Sequence, residues 1–300
     1  MILSLLVASV LVTDRNAELN AVGDIMLARG VQRYIRKPDS LPLLRGVHAL
    51  LKGDIVMGNL ESPLTTLPTQ LTKQFVFRGD PQNLSQIVPD FTVLSVANNH
   101  TLDCGRQGLD ETLRTLASRG IDHLGTDGLT VKTVKGIRIG LLAYCDFPRP
   151  EKGIAYLSEE ALSRDIAKAK ASSDVCVVSV HWGEEYHQQP NARQKHIARL
   201  ATRLGASLIV GHHPHVLQPI EWVRVGSKKC LVAYSLGNFI FDSHPPLAKL
   251  SGVLKCRLSK RGVESYRFVP MVVEHYAPRP SSAVEHAEIS RKSVGIREAG

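Results

Sequence analysis

Ser207-Leu208-Ile209-Val210-Gly211-His212-His213-Pro214-His215 is the stretch that decides how this chain is read. A short apolar run ends in a glycine, and three of the chain's twelve histidines then fall within four positions. Such a pattern is the end of a buried strand opening into a loop, where α/β sheets place their chemistry. Imidazoles clustered there are costly to bury unless something binds them, and neutral imidazole is the commonest metal ligand. His213 and His215 stand two apart, so in an extended loop both face one point while His212 faces away. A hydrogen-bonded pair of core histidines would produce the same letters. The reading therefore turns on what the rest of the chain brings to the same edge.

Working outward, the same grammar recurs. Leu19 to Asp24 reads as a strand ending in Gly23-Asp24, and Asp54 to Met57 as a second, followed by Gly58-Asn59-Leu60-Glu61. Thr92 to Ala97 is a third, running into Asn98-Asn99-His100, and Val175 to Val180 ends at His181-Trp182-Gly183. Leu231 to Leu236 ends at Gly237-Asn238-Phe239, and Ile137 to Tyr144 is a further strand. Between them lie helical patterns. Leu109, Leu113, Leu116 and Ala117 recur at helical spacing before Gly120, and Ser158 caps a helix that turns Leu162, Ile166 and Ala169 inward. Asn191 with Gln194 forms a capping-box signature ahead of Ile197, Leu200, Ala201 and Leu204, and Gly205 ends that helix. Strands alternating with helices imply a layered α/β core. Val253 to Leu258 and Arg267 to Val273 look like a closing pair of strands. One domain over residues 19–278 is expected, preceded by an apolar segment, 1–18, and followed by a loose tail, 279–300.

Composition narrows the partners. The chain has 300 residues, 43% of them hydrophobic, enough for a large core. Its 37 basic and 28 acidic residues give a net charge of +9, which favours anionic partners such as phosphates, polyanions or acidic membrane surfaces. Nucleic acid is not expected: there is no dense Lys/Arg stripe with interleaved aromatics, and aromatics make up only 5%. Cys104, Cys145, Cys176, Cys230 and Cys256 are scattered without a CxxC pair, which speaks against a disulfide framework and against a thiolate zinc site. Ile2 to Val12 is apolar, with the length of a signal-peptide core, yet it lacks a basic leader and an A-x-A cleavage site. It reads either as an export signal or membrane anchor, or as an extra strand. A membrane-anchored or exported envelope protein is the favoured expectation, with a cytoplasmic one as the alternative.

Asp24, Asn59 with Glu61, Asn99 with His100, His181, and His213 with His215 all sit at or just past strand ends. Five segments thus deliver oxygen and imidazole donors to one sheet edge. Mixed carboxylate, amide and imidazole donors without cysteine suit divalent zinc, manganese or iron. A pair of ions ~3.5–4 Å apart would clamp a phosphoryl group and activate water.

These residues carry a resemblance. Gly23-Asp24-Ile25-Met26-Leu27 with Arg29, Asn59-Leu60-Glu61-Ser62-Pro63, Ala97-Asn98-Asn99-His100 with Asp103 and Gly105, His181-Trp182-Gly183 with Glu185-Tyr186, Gly211 to His215, and Ser235 to Phe239 follow in order. From about Leu19 to Asp242 the chain resembles the poly-γ-glutamate capsule-synthesis proteins of the CapA/PgsA type, within the calcineurin-like metallophosphoesterase superfamily. The resemblance implies a four-layer α/β/β/α sandwich of the metallo-dependent phosphatase type, holding one or two divalent ions. It implies Asp24 as the first metal-binding aspartate and Glu61 as the bridging carboxylate, with Asn59 as alternate ligand. Asn99, His181, His213 and His215 would complete the metal set, and His100 would protonate the leaving oxygen. Arg29, Arg78 and Asn238 are candidates for binding an anionic or phosphorylated substrate, and Glu185 and Tyr186 for orienting His181. One departure stands out: Met26 occupies the place of the first motif's histidine, and a thioether does not replace imidazole for a hard ion. Two functions follow, hydrolysis of a phosphoester or a non-hydrolytic part in assembling or exporting a polyanion within a capsule-synthesis membrane complex. A nucleotide-processing hydrolase is disfavoured, because no nucleobase-stacking module follows the core.

Overall fold

The computed structural model describes residues 16–69, 74–126, 128–147, 153–242 and 245–292. The apolar run Ile2 to Val12 lies outside them. In chain order the strands are β1 (Ala17–Ile25), β2 (Ile55–Leu60), β3 (Val93–Ser95), β4 (Asp122–Leu124), β5 (Thr130–Val134), β6 (Ile137–Cys145), β7 (Val175–His181), β8 (Leu208–His212), β9 (Ile220–Val225), β10 (Lys228–Ala233), β11 (Asn238–Ile240), β12 (Leu250–Ser259), β13 (Gly262–Glu274) and β14 (Ala277–Pro280). The α-helices are α1 (Arg29–Ile35), α2 (His48–Leu51), α3 (Gly105–Ala117), α4 (Glu159–Ser172), α5 (Ala192–Leu204) and α6 (Ala283–Lys292).

Two sheets result. The first runs β14-β13-β12-β1-β2-β3-β4, with β11 beside the end of β1; the second runs β5-β6-β7-β8-β10-β9. β1, β2, β3 and β4 are parallel, as are β6, β7, β8 and β10, and antiparallel strands finish the edges. Parallel strands buried on both faces read as continuous apolar runs, which is why these strands show so plainly in the sequence.

Period-two alternation sorts those runs into layers. Leu19, Ala21, Ile55 and Met57 of the first sheet meet Ile139, Leu141, Val175, Val177, Leu208 and Val210 of the second in one core between the sheets. The alternate residues Leu142, Tyr144, Cys176 and Val178 face outward onto Leu162, Ile166 and Ala169 of α4 and Ile197 and Ala201 of α5. Val22, Val56 and Leu94 face the other way, onto Val31, Leu51, Leu109 and Leu116 of α1, α2 and α3. Three cores between four layers make the α/β/β/α sandwich. Each fully buried Leu or Val in them contributes about 1.5–3 kcal/mol.

The helix boundaries follow local chemistry. Ser158 Oγ accepts the Ala161 N–H at 3.1 Å, Asn191 and Gln194 close a reciprocal capping box, and Gly205 ends α5 at φ +114°. The five cysteines are all buried and free, and burial pushes the Cys176 thiol up to about 12.

The segment after Pro278 differs from the expected loose tail. β14 pairs with β13, and Arg279 ties Glu274 at 3.0 Å to Glu285 of α6 at 2.7 Å. Ile289 of α6 is buried in the inter-sheet core. Its charged, serine- and alanine-rich composition hides one apolar anchor and one ion-paired clamp. No helix among the described residues is long and apolar enough to cross a membrane.

Candidate metal centre

Register assembles the site. β1 aligns Asp24 with Asn59 of β2 on one side and with Asn238 of β11 on the other. In the second sheet, His181 of β7 aligns with His212 of β8. Asp24, Asn59, His181 and His212 lie at carboxyl-terminal ends of parallel strands, and Asn238 opens β11, so both sheets aim these polar residues at one crevice. Close backbone approach sets neighbouring strand ends within each sheet. A Cβ on Gly23 would lie 1.8 Å from the Gly237 carbonyl oxygen, and one on Gly211 would lie 2.0 Å from that of Tyr234. Only glycine fits at either position. Past the strand ends, Glu61 N–H donates to Ile25 O at 2.7 Å, and Tyr186 N–H donates to Pro214 O at 2.8 Å. His213 and His215 take φ values of 94° and 57°, and Arg29 and Tyr186 take 48° and 63°.

Two donor groups meet at Glu61. His213 Nδ1 lies 3.1 Å from His181 Nε2, which lies 2.9 Å from Asn99 Oδ1 and 3.9 Å from Glu61 Oε1. On the other side, His215 Nε2 is 3.6 Å from the same Glu61 oxygen, and His215 Nδ1 is 3.3 Å from Asp24 Oδ2. Glu61 Oε1 is fully buried and accepts no hydrogen bond. A buried carboxylate oxygen without a donor is penalised by several kcal/mol unless a cation compensates it. Ring nitrogens of His181 and His215 facing that atom, with an amide oxygen beside His181, form a donor set suited to a divalent ion. The residues therefore fit a metal. Glu61 faces both groups, the placement a bridging carboxylate requires.

Asn59, the alternate ligand, turns its carbonyl away from the centre. Asn59 Oδ1 accepts from Asn98 Nδ2 at 3.1 Å, and the same Asn98 nitrogen donates to Leu60 O at 2.8 Å, which sets the orientation of both amides. Asn59 Nδ2 donates to Asp24 Oδ1 at 2.8 Å and lies 3.2 Å from His181 Nδ1. Asn59 braces donors and is not one. His212 is buried behind Asp24, with Nδ1 3.4 Å from Asp24 Oδ1 and neither ring nitrogen in hydrogen-bond geometry.

His100 is held apart from the donor groups. Its Nδ1 is 2.8 Å from Asp103 Oδ2, its ring stacks on Phe77 at 3.7 Å, and Nε2 points inward, 4.0 Å from Glu61 Oε1. Asp103 three residues after His100 was the readable signal for this pair; Phe77, from a distant loop, had none. A cleft of about 190 Å³ opens beside His100 and His215 and is lined by Arg29, Phe75, Phe77, Glu185, Tyr186 and Asp242 among others. The Arg29 guanidinium lies 5.5 Å from the Phe75 ring centre and 5.2 Å from that of Phe77, and pairs with Asp242 at 3.2 Å.

Three sequence expectations are relocated. Arg78 is exposed and is not part of the cleft lining. Asn238 is buried; its Oδ1 is 2.9 Å from His215 Nδ1 and its Nδ2 donates to Ala248 O at 3.0 Å, so it orients His215 instead of facing substrate. Glu185 faces His213 and His215, with one carboxylate oxygen within 4.8 Å of a ring nitrogen of each. That loop was expected to orient His181.

Electrostatics separate the donors. Burial, then the neighbouring His215, pushes the His213 imidazole down to about 3, and burial with His213 alongside depresses His181 as well. Both are neutral donors at pH 7. Burial opposes the charged forms of Asp24 and His215 most strongly, yet their neighbours win. The imidazoles of His212 and His215 hold Asp24 well below its usual range, while Glu61 and Asp24 raise His215 to about 9. Glu61 is driven well above the carboxylate range by burial, which His215 offsets only in part.

Two facing sheets between helical layers, with Asp, Asn and His donors at a shared carboxyl-terminal edge, define a metallo-dependent phosphatase fold. A solved structure described as a novel phosphatase from Mycoplasma pneumoniae has the same fold, with a TM-score of 0.57 over 86% of this chain and 94% of that one at 13% identity. Within that class, the chain belongs to the bacterial capsule synthesis protein family PGA_cap, whose family model matches residues 18–243. It is 32% identical to the PGA biosynthesis protein CapA of Bacillus subtilis, over 92% of this chain and 76% of that protein. Identity to the capsule biosynthesis protein CapA of Bacillus anthracis is 30%, over 91% of this chain and 72% of that one.

Proposed function

We propose that the chain is a metal-dependent phosphoesterase of capsule, poly-γ-glutamate-type polymer synthesis, acting on an anionic phosphorylated substrate. The observation that carries this reading is the undonated Glu61 Oε1, buried between His181 Nε2 at 3.9 Å and His215 Nε2 at 3.6 Å. Glu61, Asn99, His181 and His213 would hold one divalent ion, and Asp24, Glu61 and His215 a second, manganese, zinc or iron suiting such mixed donors. When bound, such ions supply Lewis acidity toward a phosphoryl oxygen and acidify water. His100, oriented by Asp103 and stacked on Phe77, would deliver a proton from Nε2 to the leaving oxygen. Arg29, at the cleft wall, would meet an anionic group of the substrate. The capsule names of the Bacillus relatives support the polymer context, and with it work at the cell envelope beside a membrane complex.

The departure at Met26 favours a second reading, a non-hydrolytic component of polyanion assembly or export. Met26 is fully buried and its sulfur accepts the Ala28 N–H at 3.2 Å, which leaves the Asp24 side short of a donor. One assay separates the two. Purified protein loaded with manganese or zinc is compared with His100→Ala and His213→Ala on a generic phosphodiester and a phosphomonoester. Loss of His100 should slow turnover about 10²–10⁴-fold with metal content unchanged. Activity surviving both substitutions sinks the enzymatic reading, and loss of polymer in cells without measurable hydrolysis favours the assembly role. Cell fractionation that finds only cytosolic protein would refute the envelope placement.

A further inference from the structure

We propose that Glu185 is a metal ligand, completing the three-donor Asp24–Glu61–His215 position. This rests on the reading of the centre as a divalent-metal site. The donor count makes the case first. The His181 side has four donors, Glu61, Asn99, His181 and His213, whereas the Asp24 side has three. Met26 cannot supply the fourth, because its side chain is packed in the apolar layer with Ile25, Leu27 and Val31.

Geometry then points to Glu185. Its carboxylate is grouped with His213 and His215, every pair of their ligand atoms lying within 4.8 Å. His213 is shared with the Glu61–His181 group and His215 with the Asp24–Glu61 group, so Glu185 reaches both positions and the donor count assigns it to the one with three. Among the described residues Glu185 makes no ion pair with a Lys or Arg. Glu61 Oε1 supplies the independent sign of a ligand, being buried, without a donor and 3.6 Å from His215 Nε2.

The loop that presents Glu185 is tied down on both flanks. Tyr186 N–H donates to Pro214 O at 2.8 Å, which fixes it to the histidine loop. Gln218 Nε2 donates to His187 O at 2.7 Å and is itself linked to Gln194 of α5 at 2.9 Å. Asn191 Nδ2 donates to Glu184 Oε1 at 3.2 Å. Glu185 is thus a solvent-facing carboxylate on an anchored loop, and it closes the position from the cleft side.

The test is equilibrium dialysis of the purified chain against Mn²⁺, followed by metal analysis and electron paramagnetic resonance of the bound ion. Wild type should hold two ions with a spin-coupled signal. Glu185→Gln should keep its melting behaviour in the metal-free form, because the residue is exposed, and lose one ion or bind it at least about 10–100-fold more weakly. His213→Ala should lose the other ion, and the double variant both. Glu185→Gln with wild-type stoichiometry and affinity overturns the proposal and leaves the metal reading standing. A wild type that holds one ion, unchanged in Glu185→Gln, overturns it likewise. A wild type that binds no manganese and no zinc overturns the metal reading itself.

Discussion

On one side of Glu61, His181, His213 and Asn99 present neutral donors; on the other, Asp24 and His215 form a charged pair. The imidazole of His213 sits near 3 and that of His215 near 9, although both are buried and two residues apart. Burial acts on both in the same direction, so the carboxylates decide the difference. His215 has Asp24 and Glu61 beside it, and His213 faces mainly other imidazoles. One side is therefore neutral, whereas the other contains its own cation. The histidine side should fill first, and the Asp24 side should need a carboxylate from outside to hold an ion.

The most severe way to break this asymmetry is to remove the shared atom. Glu61→Gln should reduce phosphoester hydrolysis to the uncatalysed background and lower bound metal below one ion per chain by elemental analysis, since both donor groups face that carboxylate. Asn238→Ala is expected to act on one side only. It frees His215 Nδ1 from its 2.9 Å partner and should weaken metal binding there about 10-fold, leaving the His181 side unchanged in a dialysis titration. The smallest effect belongs to a site remote from both. Glu285→Gln cuts the Arg279 clamp on α6 and should lower the melting temperature by about 1–2 °C with metal content untouched, as fits a largely solvated pair.

That clamp also carries a pH signature. Arg279 holds the Glu285 carboxyl down at about 2, below its usual 4.5, so the folded state prefers the ionised form. Its contribution is complete above pH 4.5 and disappears as pH falls toward 2. Thermal melts of wild type and Glu285→Gln should converge over that window. A gap that stays constant down to pH 2 would show the clamp adds nothing through charge.

The doubly buried strands and their polar ends were legible because each joins an apolar run to a glycine or a chemically costly residue, as in Val175 to His181 or Leu208 to His212. β4, β5 and β9 were not, since Asp122–Leu124 has three residues and Thr130–Val134 alternates polar and apolar at a sheet edge. α6 was hidden for the opposite reason: Ile289, buried in the inter-sheet core, anchors a largely polar sequence. Within the site, Asp24, Glu61, Asn99, His100, His181, His213 and His215 come together as their positions suggested. The direction of the Asn59 carbonyl was invisible, because Asn98 sets it from another strand end. The facing of Glu185 was invisible too, since it follows from a latch between two loops.

The backbone of the histidine loop has a consequence for how this chain tolerates change. Among the described residues, seven other than glycine adopt positive φ; three of them, Arg29, Tyr186 and His215, line the cleft, and a fourth, His213, is a donor of the site. An L-residue in that conformation costs about 1–2 kcal/mol relative to glycine. Glycine at 213 or 215 would relax the chain while deleting a donor, so the sequence keeps there a side chain that its backbone tolerates less well than glycine. Screens that select this protein for thermal stability alone should therefore drift toward glycine and asparagine at the cleft, and the most stable variants they return should be the least able to hold an ion.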